Sequence, residues 1–430
     1  PTGPNPSYHA NELPEDLIEK AVLTAIGARG QPRLRSESRS GVTTLEGGRV
    51  QMEFDDRQSD SVLQTEVALD GARLRNEGRP AAGEKTADAQ VLESATVELR
   101  MQEGGEWIEQ ILTHAPGTLR LLPGEAKAPR RTLQGNRFWI EYAKNNQIES
   151  FRADRAETLT EYPKGPKEKE APPPARTWSD GLNAAFDAKG EGSRLEQWGS
   201  FRYQEGDQRA RAEKATLDQA AATILLEGEA STWDGNGTLS AATIRLDQKS
   251  GDVVAEGSVE STQQAPAKPK KSGPAKATEP AKPEGGLLSD ASPMHARAHR
   301  MRTEQGRKVV RFEQNAVVWQ GSNRVEGQMV EIRREEGKLL AEGKVRSLLE
   351  EKQAGEKPAK AEAGRKPAKK PAGPPMLLLI SAAKLNYDDG TRKAVYEKDV
   401  VMKRGELTVR AAELTAWFSE GEESSLEKAE

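Results

Sequence analysis

The most regular pattern along the chain is a series of short apolar runs separated by turn residues. Around residues 309–345 these runs are rich in β-branched and aromatic side chains, which favour strands. Pairs such as Glu336-Gly337 and, in neighbouring segments, Asn236-Gly237 and Asp389-Gly390 separate them and favour hairpin turns. The pattern predicts an all-β fold of short antiparallel strands with no helix between them. We expect strands at residues 309–312, 316–319, 325–332 and 339–345.

The second half of the chain contains an internal repeat. The segment from Ala210 aligns with the segment from Ala296 at a constant offset of 86 residues without gaps, and a third copy follows at an offset of 84 residues. Pairs that match include Trp233 with Trp319, residues 255–257 with 341–343, and Phe312 with Tyr396. Repetition of short strands is typical of stacked sheets, sandwiches and solenoids.

Four repeat positions are apolar in all three copies, and we expect them to point into the interior. These positions are Leu226/Phe312/Tyr396, Ala230/Ala316/Val400, Leu239/Val325/Val409 and Ile244/Val330/Leu414. The position Arg245/Glu331/Thr415 is polar and is expected to point outward. Successive side chains of a strand point to opposite faces, so this pattern gives each strand one apolar and one polar face.

The amino-terminal third carries a looser form of the same pattern. Residues 44–54 (TLEGGRVQMEF) match residues 132–142 (TLQGNRFWIEY) at an offset of 88 residues. A second phrase, apolar-Glu-x-apolar, begins at Ile18, Ile108, Ile148, Leu195 and Leu426. Residues 17–26 have apolar side chains at helical spacing, but they contain this phrase, which elsewhere lies in strand-like sequence. We therefore favour a strand there, with a helix as the alternative.

Three stretches rich in Pro, Ala and Lys interrupt the repeats. They cannot bury enough apolar surface to offset ordering, so we expect extended or disordered spacers. The last two each follow an Glu-Gly-x-Val phrase, at residues 256–259 and 342–345, which indicates long loops inserted at one recurring turn. We divide the chain into divergent repeats (1–162), a linker (163–176), a repeat (177–262), an insertion (263–286), a repeat (287–351), an insertion (352–375) and a truncated repeat (376–430).

Composition and charge narrow the classes of function. Hydrophobic residues make up 35% and aromatic residues 5% of the 430 residues. This apolar content is low for a chain with three conventional hydrophobic cores. Lys and Arg total 64, and Asp and Glu total 68. The chain therefore has no excess of positive charge of the kind that is typical of nucleic-acid-binding proteins. The chain has no cysteine, and its longest apolar run, residues 376–380, is far too short to span a membrane. A start at Pro1 without an initiator Met indicates a mature or trimmed fragment.

The sequence contains no recognisable catalytic or metal-binding motif. The histidines are His9, His114, His295 and His299, with no cysteine partners and no HExxH phrase. His295 and His299 are four residues apart, but they lie in strand-like sequence, so we predict no metal site. Nucleophile-elbow, dinucleotide-binding and P-loop phrases are also missing from the sequence. We therefore expect a protein that is not an enzyme and needs no cofactor.

Two pairs of phrases resemble the repeat of a known family. They are LSAATIRL (239–246) followed by VVAEGSV (253–259), and AVYEKDVVM (394–402) followed by LTVRAAEL (407–414). These resemble the OstA-like repeat of periplasmic lipopolysaccharide-transport proteins: LptA, LptC and the amino-terminal domain of LptD. The resemblance is strong over residues 180–430 and weaker over 17–162.

The resemblance implies a stacked antiparallel, open V-shaped β-jelly roll whose apolar interior carries the acyl chains of lipid A across the periplasm, without catalysis. The positions that would line this lipid groove are Leu226, Leu239, Ile244, Leu246, Phe312, Val325, Val330, Ile332, Tyr396, Val409 and Leu414. The residues alone leave open whether these side chains form a groove or pack on one another as a closed core. The alternative function is a structural β-repeat scaffold of the envelope that binds no lipid.

The strand pattern and the family resemblance also predict binding partners. An open stack of strands leaves edge strands, so we expect head-to-tail pairing with other OstA-like transport proteins. Membrane contact is expected only through partners or through segments outside this sequence. The Lys-rich insertions are expected to be solvated spacers, with contact to lipid A phosphates or an anionic membrane surface as the alternative. They lack aromatic residues for base stacking, so we expect no nucleic-acid binding.

Overall fold

Strands and the turns between them make up the part of the chain that the computed structural model describes. That part comprises residues 25–37, 41–55, 62–78, 88–143, 148–165, 169–187, 192–264, 292–351, 376–418 and 426–430. Within these ranges no helix is long and apolar enough to cross a membrane. The all-β prediction is confirmed. Residues are grouped in two units, Pro1–Ala222 and Thr223–Glu430.

The first unit contains fourteen strands in the described ranges. They are β1 (Ala25–Arg29), β2 (Arg33–Glu37), β3 (Gly41–Glu46), β4 (Arg49–Asp55), β5 (Val62–Gly78), β6 (Ala89–Met101), β7 (Ile108–Thr113), β8 (Gly117–Leu122), β9 (Arg130–Gly135), β10 (Arg137–Tyr142), β11 (Ile148–Glu161), β12 (Ala175–Phe186), β13 (Gly192–Glu205) and β14 (Gln208–Asp218).

Long strands in this unit pair with interrupted ones. β5 pairs with both β3 and β4, β6 with both β7 and β8, and β11 with both β9 and β10. The interruption falls at Gly47-Gly48 between β3 and β4, and at Asn136 between β9 and β10. These are the two phrases that match at an offset of 88 residues. The sequence match therefore corresponds to the same interrupted strand formed twice.

The second unit continues with strands β15 to β25. They are β15 (Thr223–Asp234), β16 (Gly237–Asp247), β17 (Val253–Gln263), β18 (Met294–Glu304), β19 (Val309–Gln320), β20 (Asn323–Arg333), β21 (Lys338–Glu351), β22 (Met376–Asp388), β23 (Lys393–Arg404), β24 (Leu407–Phe418) and β25 (Leu426–Ala429). From β15 to β24 each strand pairs antiparallel with the next, so that each offset of 84 or 86 residues corresponds to four strands.

Each pairing in this series shifts register once, near the middle of the strands. On β19 the shift falls at Gln314 and Asn315, which have φ values of 64° and 61°. Equivalent pairs of consecutive positive-φ residues occur on β15, β17, β21 and β23. A bulge of this kind bends a strand sharply. We call these positions the corners: each strand turns there, and its two halves belong to two layers that enclose the core.

The corners explain why the predicted strand lengths were wrong. The predicted strands at 309–312 and 316–319 are the two halves of β19, and strands β15 to β24 are 11 to 14 residues long. Polar residues at a corner interrupt the apolar pattern although hydrogen-bonded pairing resumes directly after them. Turns lie at Gly321, Glu336-Gly337 and Asp389-Gly390, as predicted. The turn predicted at Asn236-Gly237 is formed by Gly235-Asn236, one residue earlier, because Gly237 begins β16.

Two predictions fall wholly or mostly outside the described residues. Residues 17–26 are described only from Ala25, where β1 begins. Most of the insertion at 263–286 and all of that at 352–375 are also outside. Their flanks are described: β17 pairs with β18, and β21 with β22. Each insertion therefore connects the two strands of a hairpin, and the two hairpins occupy equivalent places in the repeat. The division into domains remains a prediction.

Candidate functional site

The interior of the second unit is lined by a continuous row of apolar side chains. Residues that pair directly across neighbouring strands point to the same face, so the register defines the row. This row, which we call rank one, has one member on each of β15 to β24, and every member is at most 5% exposed. Its members are Leu226, Ile244, Ala255, Met301, Phe312, Val330, Ala341, Leu385, Tyr396 and Leu414.

A second row runs through the other halves of the same strands, beyond the corners. We call it rank two: Thr232, Leu239, Ser261, Ala296, Val318, Val325, Ser347, Ile380, Met402 and Val409. Its central members, from Ala296 to Met402, are buried. The members near its ends, Leu239 and Val409 among them, are half-buried. The interior is therefore closed at its centre and less covered towards the two ends of rank two.

The eleven residues predicted to line a groove all lie on these inward faces. Seven are buried: Leu226, Ile244, Phe312, Val325, Val330, Tyr396 and Leu414. Four are half-buried: Leu239, Leu246, Ile332 and Val409. Leu246 and Ile332 lie two residues beyond rank one on β16 and β20, and the other nine belong to the two ranks. A lipid-binding role for these residues remains a proposal.

The sequence analysis missed interior residues on β22. The longest apolar run of the chain begins this strand, and it was considered only as a candidate membrane span. In the structure Leu378 and Ile380 are fully buried, whereas Leu377, directly before them, is 55% exposed. An uninterrupted apolar run hides the alternation of a strand, since no polar residue marks the outward face. The pairing of Ile380 with Ser347 and Met402 is what identifies its inward direction.

Two fully buried hydroxyl groups lie within this apolar interior. Tyr396 in rank one and Ser347 in rank two are both 0% exposed. Neither hydroxyl bonds to any described residue outside this pair. Burial raises the pKa of the Tyr396 phenol, and its hydrogen bond with the Ser347 hydroxyl offsets part of that rise. Both ranks are buried on the two halves of the same bent strands, so together they enclose one interior.

The outward face of the same strands is ionic. Glu331 points outward, as predicted, but two arginines cover it so that it is only 2% exposed. Arg311 and Arg333 each donate a hydrogen bond from Nε to its carboxylate, at 2.8 Å and 2.7 Å. Burial acts to raise the pKa of Glu331, but the hydrogen bonds from Arg333 and Arg311 outweigh it and hold the pKa below the usual range. The two faces of these strands thus differ sharply in polarity.

The first unit has an apolar interior of its own, with one acidic side chain in it. The buried residues of both strand halves form one cluster that includes Leu45, Leu92 and Phe138. Glu66 on β5 pairs with Met52 and Leu99, both buried in that cluster, and therefore points inward. Burial raises the pKa of Glu66 to about 7. The sequence analysis did not identify this carboxyl group.

The histidines do not form a site in the described part of the chain. His295 and His299 both lie on β18 with three residues between them, and the corner begins after Arg297. His295 stacks on Trp319, with ring centroids 5.3 Å apart, and its Nδ1 lies 3.0 Å from the Thr262 hydroxyl. Over the described ranges, no group of three or more His, Asp or Glu side chains has the geometry to hold a metal ion.

Comparison with known proteins identifies the family of this β-structure. A family model described as "LptA/(LptD N-terminal domain) LPS transport protein" matches residues 126–252 and 253–338. A comparison with curated proteins gives no match. Among solved structures, the chain is similar to the crystal structure of LptH, described as the LptA homologous periplasmic component of the conserved lipopolysaccharide transport device from Pseudomonas aeruginosa. The identity is 18%, the alignment covers 32% of this chain and 82% of that chain, and the TM-score is 0.25.

The two matched segments span strands of both units, from the interrupted strand β9–β10 to the start of β21. They include rank-one positions Leu226, Ile244, Phe312 and Val330, which the repeat alignment had assigned to the interior. The family predicted from the repeated phrases is thus confirmed: through residues 126–338 the chain belongs to the LptA/(LptD N-terminal domain) family of lipopolysaccharide transport proteins.

Proposed function

We propose that the interior of the second unit binds the acyl chains of lipopolysaccharide, and that the protein takes part in moving this lipid across the periplasm to the outer membrane. Family membership supports the role in lipopolysaccharide transport. The observation that carries the lipid-binding step is the pair of facing ranks, which place apolar side chains on every strand from β15 to β24. The protein acts by binding, with no chemistry on the lipid.

The dimensions of the interior suit a long hydrocarbon chain. Neighbouring strands are about 4.8 Å apart, so nine intervals give rank one a length of roughly 43 Å. Transfer of one methylene group from water contributes about 0.8 kcal/mol, so a long acyl chain gains on the order of 10 kcal/mol before ordering costs are subtracted. Small and medium side chains such as Ala255, Val325 and Ala341 spread this gain evenly. Because the gain is distributed evenly along the interior, the acyl chain can slide and is not held tightly at one point.

Access to the interior begins at the half-buried residues. Leu239 and Val409 lie near opposite ends of rank two, whereas Val325 at its centre is 0% exposed. An acyl chain therefore enters at an end and separates the layers as it advances. The dispersion contacts that the ranks make with each other are replaced by contacts with the chain, so the cost of separation is partly recovered.

Partner binding is proposed at the edge of β24. β25 pairs only with residues 416–418 of this strand, and no other described strand pairs with that side of residues 407–413. Unpaired backbone N–H and C=O groups bind an added strand. We propose that a second OstA-like transport protein adds its edge strand here and so extends the two ranks head to tail. Contact with either membrane then takes place through such partners.

Binding of purified lipopolysaccharide to matched variants tests the proposal. Val409→Asp places a charge on the inward face at the half-buried end of rank two, whereas Thr408→Asp places it on the exposed outward face of the same strand. We expect Val409→Asp to weaken binding at least tenfold and Thr408→Asp to bind like the wild type. Leu239→Asn provides a second inward change that is milder for folding. Thermal melting of all three variants verifies the fold.

A second function has one observation in its favour. The centre of the interior is fully closed, as expected for a scaffold whose ranks only pack on each other. Under that function, folded Val409→Asp and Leu239→Asn variants would bind lipopolysaccharide no differently from Thr408→Asp. Such a result would contradict acyl-chain binding and favour the structural β-repeat scaffold.

A further inference from the structure

A row of inward side chains comparable to rank one also runs through the first unit, and one of its members is acidic. The pairing register carries this row from Ile26 on β1 through Met52, Glu66 and Leu99 to Leu217 on β14, with one member on each of β1, β4 to β7 and β10 to β14. The nine other members are apolar. Rank one of the second unit contains no carboxyl group, so packing in such a row does not require an acid.

The carboxyl group of Glu66 has no partner that compensates its burial. Its neighbours across the two ladders, Met52 and Leu99, are apolar and 2% exposed. The next inward residues on the same flanking strands, Val50 and Val97, are apolar and fully buried. Burial is the only influence on the pKa of Glu66, which indicates that no charged or hydrogen-bonding group of the described residues faces it. An unpaired carboxylate in apolar surroundings costs free energy, and a cation that pairs with it removes part of that cost.

Glu66 lies near one end of the row. Two strand intervals, about 10 Å, separate it from the member on β1, and seven intervals, about 34 Å, separate it from the member on β14. Glu66 itself is half-buried, whereas the row beyond it is buried from Leu99 to Phe151. The first unit therefore has one acidic group near the end of a long apolar path. An amphiphile with one charged head group and a hydrocarbon tail has the same order of parts.

We propose that the interior of the first unit binds amphiphiles with a cationic amine head group, which pairs with Glu66 while the hydrocarbon tail lies along the row towards β14. Charge complementarity selects this occupant, because a carboxylate attracts an ammonium group and repels a second carboxylate. A neutral amphiphile gains the same apolar contacts but leaves the carboxylate unpaired. The unit and the ligand both differ from those of the proposed function. The inference rests on that function only in requiring that a hydrocarbon chain can enter an interior of this kind.

Three ten-carbon compounds test the charge preference. Decylamine, decanol and decanoate are titrated into the full chain below their micelle concentrations at pH 8, where Glu66 is mostly ionised. We expect decylamine to bind roughly tenfold more tightly than decanol, and decanoate to bind more weakly than decanol. Glu66→Gln should bring decylamine to within about twofold of decanol and should strengthen the binding of decanoate. A general change of packing would instead move all three affinities in the same direction, and that result would overturn the site.

Glu53→Gln is the matched control. Glu53 on β4 pairs with Thr65, the residue before Glu66, but its side chain is exposed on the outward face. Its substitution removes the same charge from the same part of the protein and should leave the ranking of the three compounds as in the wild type. Thermal melting verifies the fold of both variants. If Glu53→Gln changed the ranking as much as Glu66→Gln, net charge would explain the preference and the site would be overturned.

Proton release provides a second measurement. Pairing with a cation lowers the pKa of Glu66 from about 7, so decylamine that binds at pH 7 should release roughly half a proton. The release is measured from the dependence of the binding heat on the ionisation heat of the buffer. Glu66→Gln should release none. Binding of decylamine to the wild type without proton release would show that the head group does not pair with Glu66.

Lipopolysaccharide binding by the same preparation separates this inference from the proposed function. If lipopolysaccharide binds but the wild type binds the three compounds equally, or binds none of them, the amine site is overturned and the proposed function stands. If decylamine binds as expected but Val409→Asp and Leu239→Asn leave lipopolysaccharide binding unchanged, the proposed function is contradicted and the amine site stands.

Discussion

Gly257 on β17 lies directly against Ala242 on β16 at a corner: a β-carbon on Gly257 would come 2.7 Å from the Ala242 β-carbon. Real side chains do not approach so closely, and the φ of Gly257 is +81°, which residues with a side chain rarely adopt. The close approach and the backbone conformation thus act together at the point where the strand changes layer. The close approach to Ala242 and the positive φ both arise from the bend, and a straight strand would have neither.

Substitution at this corner should destabilise the second unit. Gly257→Ala adds both backbone strain and a steric clash, and we expect it to lower the free energy of unfolding by about 2–4 kcal/mol. Gly251→Ala is the control, because Gly251 has a similar φ of +75° but no atom within 4 Å of a built β-carbon. It should cost only the strain of the left-handed backbone conformation, about 1–2 kcal/mol. Urea denaturation measures both, and equal effects would show that the contact with Ala242 is unimportant.

The ion pairs of Glu331 predict a stability that falls in acid. The folded-state pKa of Glu331 is below its ordinary value, so the carboxylate contributes stability above the unfolded pKa. This contribution is lost as the pH falls through the folded pKa. Glu331→Gln should therefore destabilise the protein by about 2 kcal/mol at pH 7 and progressively less below pH about 4.5. Urea midpoints measured between pH 3 and 8 provide the test; a pH-independent difference would contradict this role.

Glu66 predicts the opposite pH dependence in the first unit. Its pKa rises from 4.5 to about 7 on folding, so protonation favours the folded state. Below pH about 4.5 the group is protonated in both states, and the folded protein loses stability as the pH rises through 7. Full ionisation costs at most about 3 kcal/mol.

Glu66→Gln removes this cost, and should therefore raise the unfolding free energy at pH 8 while changing it little at pH 4.5. The urea midpoint at the two pH values is the measurement. Glu46→Gln, a surface carboxylate 3.1 Å from Arg33, is the control and should show no such rise at pH 8. If Glu66→Gln were no more stable than the wild type at pH 8, the inward placement of the carboxyl group would be wrong.

The repeat was the part of the fold that the sequence predicted best. Positions such as Phe312 and Val330 are apolar in every copy, and they pair with each other in rank one. The match of residues 44–54 with 132–142 likewise identified an interrupted strand formed twice. Periodicity is conserved when each copy must bury the same face against its neighbours, so these positions can be aligned without knowing the structure.

The corners and bulges are the part that the sequence did not predict. A bulge changes which residues point inward, so alternation on its two sides is out of phase. On β5 the register shifts near Gln64, so that Leu63 and Glu66, three residues apart, both point towards the core. Simple alternation places them on opposite faces. The same effect divided β19 into two predicted strands, and only the pairing register shows that it is one.

Photocrosslinking to lipopolysaccharide in cells provides the sharpest test of acyl-chain binding between the two ranks. A photoreactive amino acid is placed at Leu239, which is inward and half-buried, or at its neighbour Thr238, which is outward and exposed. We expect crosslinks to lipopolysaccharide from position 239 and few or none from position 238. Equal crosslinking from the two positions, or crosslinks to protein partners alone from both, would show that acyl chains do not bind between the ranks.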